Sequence, residues 1–286
     1  MNEVLLKTID NLPPLPTTVV KLRDYVDSAG ADVDVSKVVN IIQEDPLLTA
    51  ELLRLANSPF YGFSREIATI QQVVSLLGIN NVKNIAIANS LRNSFVVDVS
   101  PYGLDTNEFL GACAKEANFV SDWLSQEDKK LSQMLVPCAM LLRLGIILFS
   151  NSLRVLGKDK EFLQMLKENN FKNISLIEEE FCDEDSLSFL AFLLDHWKFD
   201  KFIIECVSYM TSPHSAHDNA KKGAYALAVI NCLFEPYQGG SVENMHKAQE
   251  LLNEAQEQGI NFSFAHFEEK LPPEMKVNLN TPLAQD

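Results

Sequence analysis

The chain has 286 residues, with 24 Lys and Arg against 39 Asp and Glu, a formal charge of −15 at neutral pH. Apolar residues make up 47% and charged residues 22%, a globular composition that excludes a disordered chain and leaves enough apolar surface for a large core. The five cysteines (Cys113, Cys138, Cys182, Cys206 and Cys232) are odd in number, at least 24 positions apart and free of any C-x-x-C pair; this argues against a disulfide framework or a zinc ribbon and fits a reducing cytosol.

In chain order, Met1 to Leu6 has no basic stretch leading into a long apolar run, so no secretory signal is expected. Leu12-Pro13-Pro14-Leu15-Pro16 reads as a stiff lead-in that positions Thr17 or Thr18 to cap a helix carrying Val20, Leu22 and Val26. As a polyproline ligand it lacks a flanking base. Asp34 or Ser36 caps a helix with Val38, Val39, Ile41 and Ile42 on one face, which stops at Asp45-Pro46. A second helix runs from Leu47 to Ala56, a third from Thr69 to Leu77 with Gly78 following, and Asn80 caps a fourth. Leu76 to Val82 has the outline of a helix-turn-helix, exposing Asn81, Lys83, Asn84 and Asn89 to base edges. Only Lys83 and Arg92 bring charge there, which favours plain helix packing.

The period lapses between Asp98 and Thr106, the best candidate boundary. Helices are then expected over Glu108–Leu124, Leu131–Phe149, Lys160–Glu168, Leu187–Trp197, Phe202–Met210, Lys221–Phe234 and Ser241–Gln256, with a polar, frayed stretch from Pro272 to Asp286. The greasiest window, Met134 to Phe149, is interrupted by Pro137 and Arg143 and falls short of the roughly 20 residues a bilayer span needs, so no membrane insertion is expected. Charge is uneven: residues 1–93 hold 8 bases and 10 acids, a net of −2, and the remainder 16 bases and 29 acids, a net of −13. So acidic a body disfavours broad contact with nucleic acid.

Candidate chemistry is thin. His214-Ser215-Ala216-His217-Asp218 offers an H-x-x-H pair, but in a surface loop with nothing to orient the rings. Glu178, Glu179, Glu180, Asp183, Glu184 and Asp185 read as a solvated helix end, because no Gly-bearing loop organises their oxygens around a cation. No phosphate loop, dinucleotide fingerprint, zincin motif or nucleophile elbow occurs, and no cysteine has a neighbouring His or base.

Three segments carry a resemblance. Leu12 to Pro16, then Glu44-Asp45-Pro46-Leu47-Leu48 running to Leu55-Ala56-Asn57-Ser58-Pro59-Phe60-Tyr61, then Ile70 to Gly78, resemble in order and spacing the HDOD family, the HD-related output domain of bacterial signalling proteins. The resemblance covers about residues 10 to 235. It implies an all-α fold, an N-terminal helical lobe joined to a lobe like that of HD phosphohydrolases. Those hydrolases hold metal with a His on one helix, a His-Asp dipeptide on the next and a later Asp. On that pattern Ala112 stands at the first His, Leu142-Arg143 at the His-Asp pair and Asn231 near the late Asp. Met210 to Pro213, where many relatives carry paired histidines, has none. Leu offers no lone pair and Arg143 brings a fixed positive charge to the place of a dication, so no catalytic or metal-binding residue and no cofactor is expected.

The resulting expectation is an N-terminal lobe over residues 1–98, a degenerate HD-like lobe over 99–235, and a C-terminal helix and tail over 236–286. The function expected is that of a non-catalytic, cytoplasmic signalling module acting through a protein partner or a small ligand or nucleotide. A phosphohydrolase or cyclic-dinucleotide phosphodiesterase with a relocated metal site, and a helix-turn-helix DNA regulator, are the alternatives. The candidate contact patch is the corner made by Asn57, Ser58, Phe60 and Tyr61 with Arg54 and Arg65 beside it, a helix stop joined to aromatics taken to be exposed. On the plainer reading, Asn57 and Ser58 satisfy freed helix carbonyls.

Overall fold

The computed structural model describes residues 3–58, 61, 63, 65–279 and 281–282. Among the described residues every regular element is helical, and there is no strand. The chain opens with a short helix, α1 (Glu3–Asp10), which lies outside the expected set. After it come α2 (Thr17–Ala29), α3 (Val35–Gln43), α4 (Pro46–Ala56), α5 (Ile70–Leu77) and α6 (Ile79–Ser94). Three of these starts have a capping side chain. Asp34 accepts from the Ser36 amide, and Asp45 accepts from Leu47 and Leu48 with Pro46 in the first turn. Thr69 forms a reciprocal capping box with Gln72. Gly78, at φ +82°, makes the one-residue hinge between α5 and α6, a backbone angle that residues with a Cβ rarely adopt.

The fourth helix begins at Ile79, so Asn80 lies inside it and does not cap it. Asn81, Lys83 and Asn84 are buried, because α6 is the central helix of this lobe, packed against α2, α4 and α5. Lys83 Nζ reaches Asp27 of α2 at 2.7 Å. The surface that would have read DNA is inside the protein.

Asp105 caps α7 (Thr106–Glu127). The apolar stretch after it, expected as one helix over 131–149, is two: α8 (Lys129–Ala139) and α9 (Leu144–Val155). Pro137, which offers no N–H to the preceding turn, is carried inside α8, and the helix ends two residues later at Ala139. Past it the backbone tightens to three-residue bonds, Leu141 to Cys138 and Leu144 to Leu141, and Arg143 sits in the turn. The run from Lys129 to Val155 is long and apolar enough to cross a bilayer by composition, yet 78% of its apolar window is buried inside this fold. Helix α1 lies along α9, where Thr8 Oγ1 donates to Ser152 Oγ at 2.7 Å.

The second lobe continues with α10 (Asp159–Glu168), α11 (Ile174–Cys182), α12 (Ser186–His196), α13 (Lys201–Ser208) and α14 (Asp218–Leu233). The acidic cluster is not wholly solvated. Glu178 is buried at 2% exposure; it accepts from Tyr102 Oη at 2.6 Å and from the Ser186 amide at 2.8 Å. Burial raises its carboxyl to about 7. This group ties the interlobe turn at Tyr102 to the start of α12.

At the C-terminus, α15 (Val242–Glu257) packs on α14, α16 (Phe264–Lys270) on α7, and α17 (Pro273–Leu279) on α15. The stretch from Pro272, expected to be frayed, therefore contains a helix with Met275 and Leu279 buried. Phe267 closes an aromatic cluster with Phe119 and Trp123 of α7. The burial of apolar residues is what holds this segment down, and its polar composition hides them.

Candidate functional site

The turn between α8 and α9 delivers Arg143 to the junction of α7 and the end of α14. Its guanidinium forks onto Glu116 of α7, with Nε donating to Oε2 at 3.1 Å and Nη2 to Oε1 at 2.8 Å. Nη1 donates to Asn231 Oδ1 of α14 at 2.7 Å, and Nη2 to the carbonyls of Asn231 and Phe234 at 3.3 and 3.0 Å. The side chains of Arg143 and Glu116 are 7% and 1% exposed. One planar cation thus joins α7, the α8–α9 turn and the end of α14, the bidentate geometry that distinguishes Arg from Lys. Burial lifts the Glu116 carboxyl to about 7 while Arg143 pulls it down.

Arg143 and Asn231, far apart in sequence, meet where the family pattern places them together. Ala112 does not join them. It is exposed on α7, and Glu116, one turn further, faces the site instead. Leu142 is buried at 1% exposure. The donor set does not fit a divalent metal. A guanidinium fills the centre, an amide and two backbone carbonyls surround it, and the single carboxylate is consumed by the pair. Among the described residues no group of three His, Cys, Asp or Glu could hold a metal ion. His214 turns to Glu254 at 3.3 Å and His217 to Glu205, so the H-x-x-H spacing does not converge.

Arg143 also lines a cleft of about 770 Å³ bounded by α4, α6, α7, α8 and α9. Leu55 and Ser58 of the first lobe, with Arg92 and Asn93 at the end of α6, face Leu110, Cys113 and Ala114 of α7. Met140, Leu144 and Ile147 close the base. The lining is mainly apolar, with Ser58, Arg92, Asn93, Asn118, Asp122 and Arg143 as its polar members, the usual make-up of a small-molecule pocket. Burial raises the Cys113 thiol to about 12, so it is neutral and unreactive.

The expected contact patch resolves differently. Asn57 Nδ2 donates to the Leu53 and Ile67 carbonyls, and its Oδ1 accepts from the Ile67 amide. It fastens the end of α4 to the segment before α5. Ser58 Oγ donates to Leu55 O. Tyr61 is buried at 7% exposure, correcting its reading as an exposed aromatic; its ring stacks on Phe63, over which Lys129 sits. Phe60 lies outside the described residues. Arg54 and Arg65 are exposed, Arg65 beside Ser58 in a shallow depression. Among the described residues of this set Ser58 alone reaches the cleft. Glu116 is absent from the expected site, and Arg92 enters the expectation only as charge on the helix-turn-helix outline.

A family model described as the HDOD domain matches residues 12–213. A solved virulence factor from Campylobacter jejuni subsp. jejuni is 53% identical, with 98% of each chain covered and a TM-score of 0.66. A candidate phosphohydrolase from Shewanella amazonensis SB2B is 24% identical, covers 97% of this chain and 98% of its own, and has a TM-score of 0.65; at that identity the likeness is one of fold. An uncharacterised protein of Treponema pallidum (strain Nichols) is 29% identical over 77 residues, which are 27% of this chain and 15% of that protein's length.

Proposed function

We propose that this chain, which belongs to the HDOD family, acts as a non-catalytic signalling module of the bacterial cytoplasm, passing a signal by binding a partner protein or a small ligand. The observation that carries the reading is the Arg143–Glu116 pair. It puts a permanent cation, already satisfied by five hydrogen-bond contacts, where an HD hydrolase needs carboxylate and imidazole. Metal-assisted attack on phosphate requires a dication to polarise an oxygen or ionise water, and nothing on α7, α9 or α14 here supplies its ligands. What the scaffold keeps is the cleft beside that pair.

The test is turnover. Purified protein incubated with bis-nitrophenyl phosphate and with cyclic dinucleotides, in Mn²⁺ or Mg²⁺, should release product no faster than buffer with metal. Metal-dependent turnover that co-elutes with the protein and survives a second purification would overturn the reading and favour a relocated hydrolytic site.

A further inference from the structure

We propose that the interlobe cleft binds a small amphipathic anion, an aliphatic or aromatic body bearing one carboxylate, sulfonate or phosphate, with Arg92 receiving the anionic head. The proposal rests on the reading of this chain as a binding module and gives that module its ligand class.

Size comes first. About 770 Å³ lies within the roughly 300–1,000 Å³ of pockets that enclose metabolite-sized ligands. Polarity comes next. Leu55, Phe95, Leu110, Met140, Leu144 and Ile147 give the walls an apolar character, which favours a hydrocarbon or aromatic body over a sugar or a polyphosphate. Charge then selects the head group. Arg92 lines the cleft in the last turn of α6, and none of the ion pairs among the described residues uses it. Glu51, on neighbouring α4, is engaged instead by Asn93 Nδ2 at 2.9 Å. Arg92 is exposed, and in a protein of net charge −15 an accessible cation over an apolar cavity with no ion pair of its own suits an incoming anion.

Arg92 and Arg143 line the cleft together with Cys113 of α7. The carboxylate on the lining, Asp122, lies nine residues further along α7, about 13 Å at the helical rise. Arg143 is paired with Glu116, which leaves Arg92 as the cation on the lining without an ion pair. The cleft therefore offers an accessible cation within a mainly apolar lining.

The experiment uses two fluorescent probes on the full chain: anilinonaphthalene sulfonate, an amphipathic anion, and phenylnaphthylamine, its uncharged relative, with dodecanoate as competitor. The native protein should bind both at a single saturable site, with dodecanoate displacing them. Arg92→Gln should weaken sulfonate binding about tenfold, the loss of one charge-assisted hydrogen bond, and leave the neutral probe unchanged. Ala114→Trp, which fills the exposed α7 side of the cleft, should weaken both; Ala117→Leu replaces it if the first variant does not fold. If Arg92→Gln affects both probes equally or neither, the anionic head is wrong. If the filling variant leaves both unaffected, the cleft is not the site. Phosphoester turnover would sink the non-catalytic reading without moving either probe result, so the two failures are distinguishable.

Discussion

Replacing Arg143 by Met should cost about 3–5 kcal/mol of folding stability, the penalty of leaving one partner of a buried ion pair uncompensated. Glu116 is 1% exposed, so it cannot turn to water, and it would have to be protonated or drag solvent inward. The carbonyl of Phe234, which accepts from Nη2 at 3.0 Å, would also lose its donor. Glu116→Leu combined with Arg143→Met removes both charges and should recover most of the loss, because a well-packed apolar pair is often as stable as the ion pair it replaces. Denaturant unfolding of the native protein, the single and the double variant measures this. A single variant within about 1 kcal/mol of native would show that the cluster is not a structural lock. Arg143→Lys should fall between the two, since an ammonium cannot fork onto a carboxylate and reach two carbonyls at once.

Gly145→Ala should be nearly as damaging, for a steric reason. A Cβ at Gly145 would lie 2.2 Å from the Ser186 carbonyl oxygen and 2.9 Å from its carbon. Those are backbone atoms, and they cannot move freely. Ser186 begins α12 just after its cap Asp185, and the Ser186 amide is held by buried Glu178. Overpacking against so fixed a neighbour costs about 3 kcal/mol or more. Gly111→Ala is the matched control. It sits inside α7 with nothing within 4 Å of its would-be Cβ, so it should stabilise by about 0.5–1 kcal/mol through helix propensity. Thermal unfolding of the two variants should therefore move in opposite directions. A Gly145→Ala protein that melts with the native would mean that α9 and α12 are not in close contact.

Much of the helical order was legible because the apolar spacing of segments such as Val38–Ile42 and the caps Asp34 and Thr69 are local properties. Arg143 and Asn231 were placed through the family pattern. The misses share a cause, which is that they depend on what packs against what. Ala112 and Glu116 lie one turn apart on α7, and no spacing says which turn faces inward. Asn81, Lys83 and Asn84 read as a polar surface, yet α6 is enclosed by its neighbours and Lys83 finds Asp27 from another helix. Tyr61 follows a helix stop, a setting that reads as exposed, yet its side chain is buried. The tail beyond Pro272 is polar except for residues such as Met275 and Leu279, which are the ones that dock. The cleft could not be read at all. Its lining comes from both lobes, and apolar residues around a pocket look the same in sequence as apolar residues in a core.

The central claim is that a guanidinium stands where a dication would bind. Calorimetric titration of the chelator-stripped protein with Mn²⁺ addresses it directly. The account predicts no saturable heat and, by elemental analysis, no metal retained after gel filtration. Stoichiometric Mn²⁺ binding that is lost in Glu116→Gln would contradict it, because that carboxylate would then be serving a metal and not Arg143.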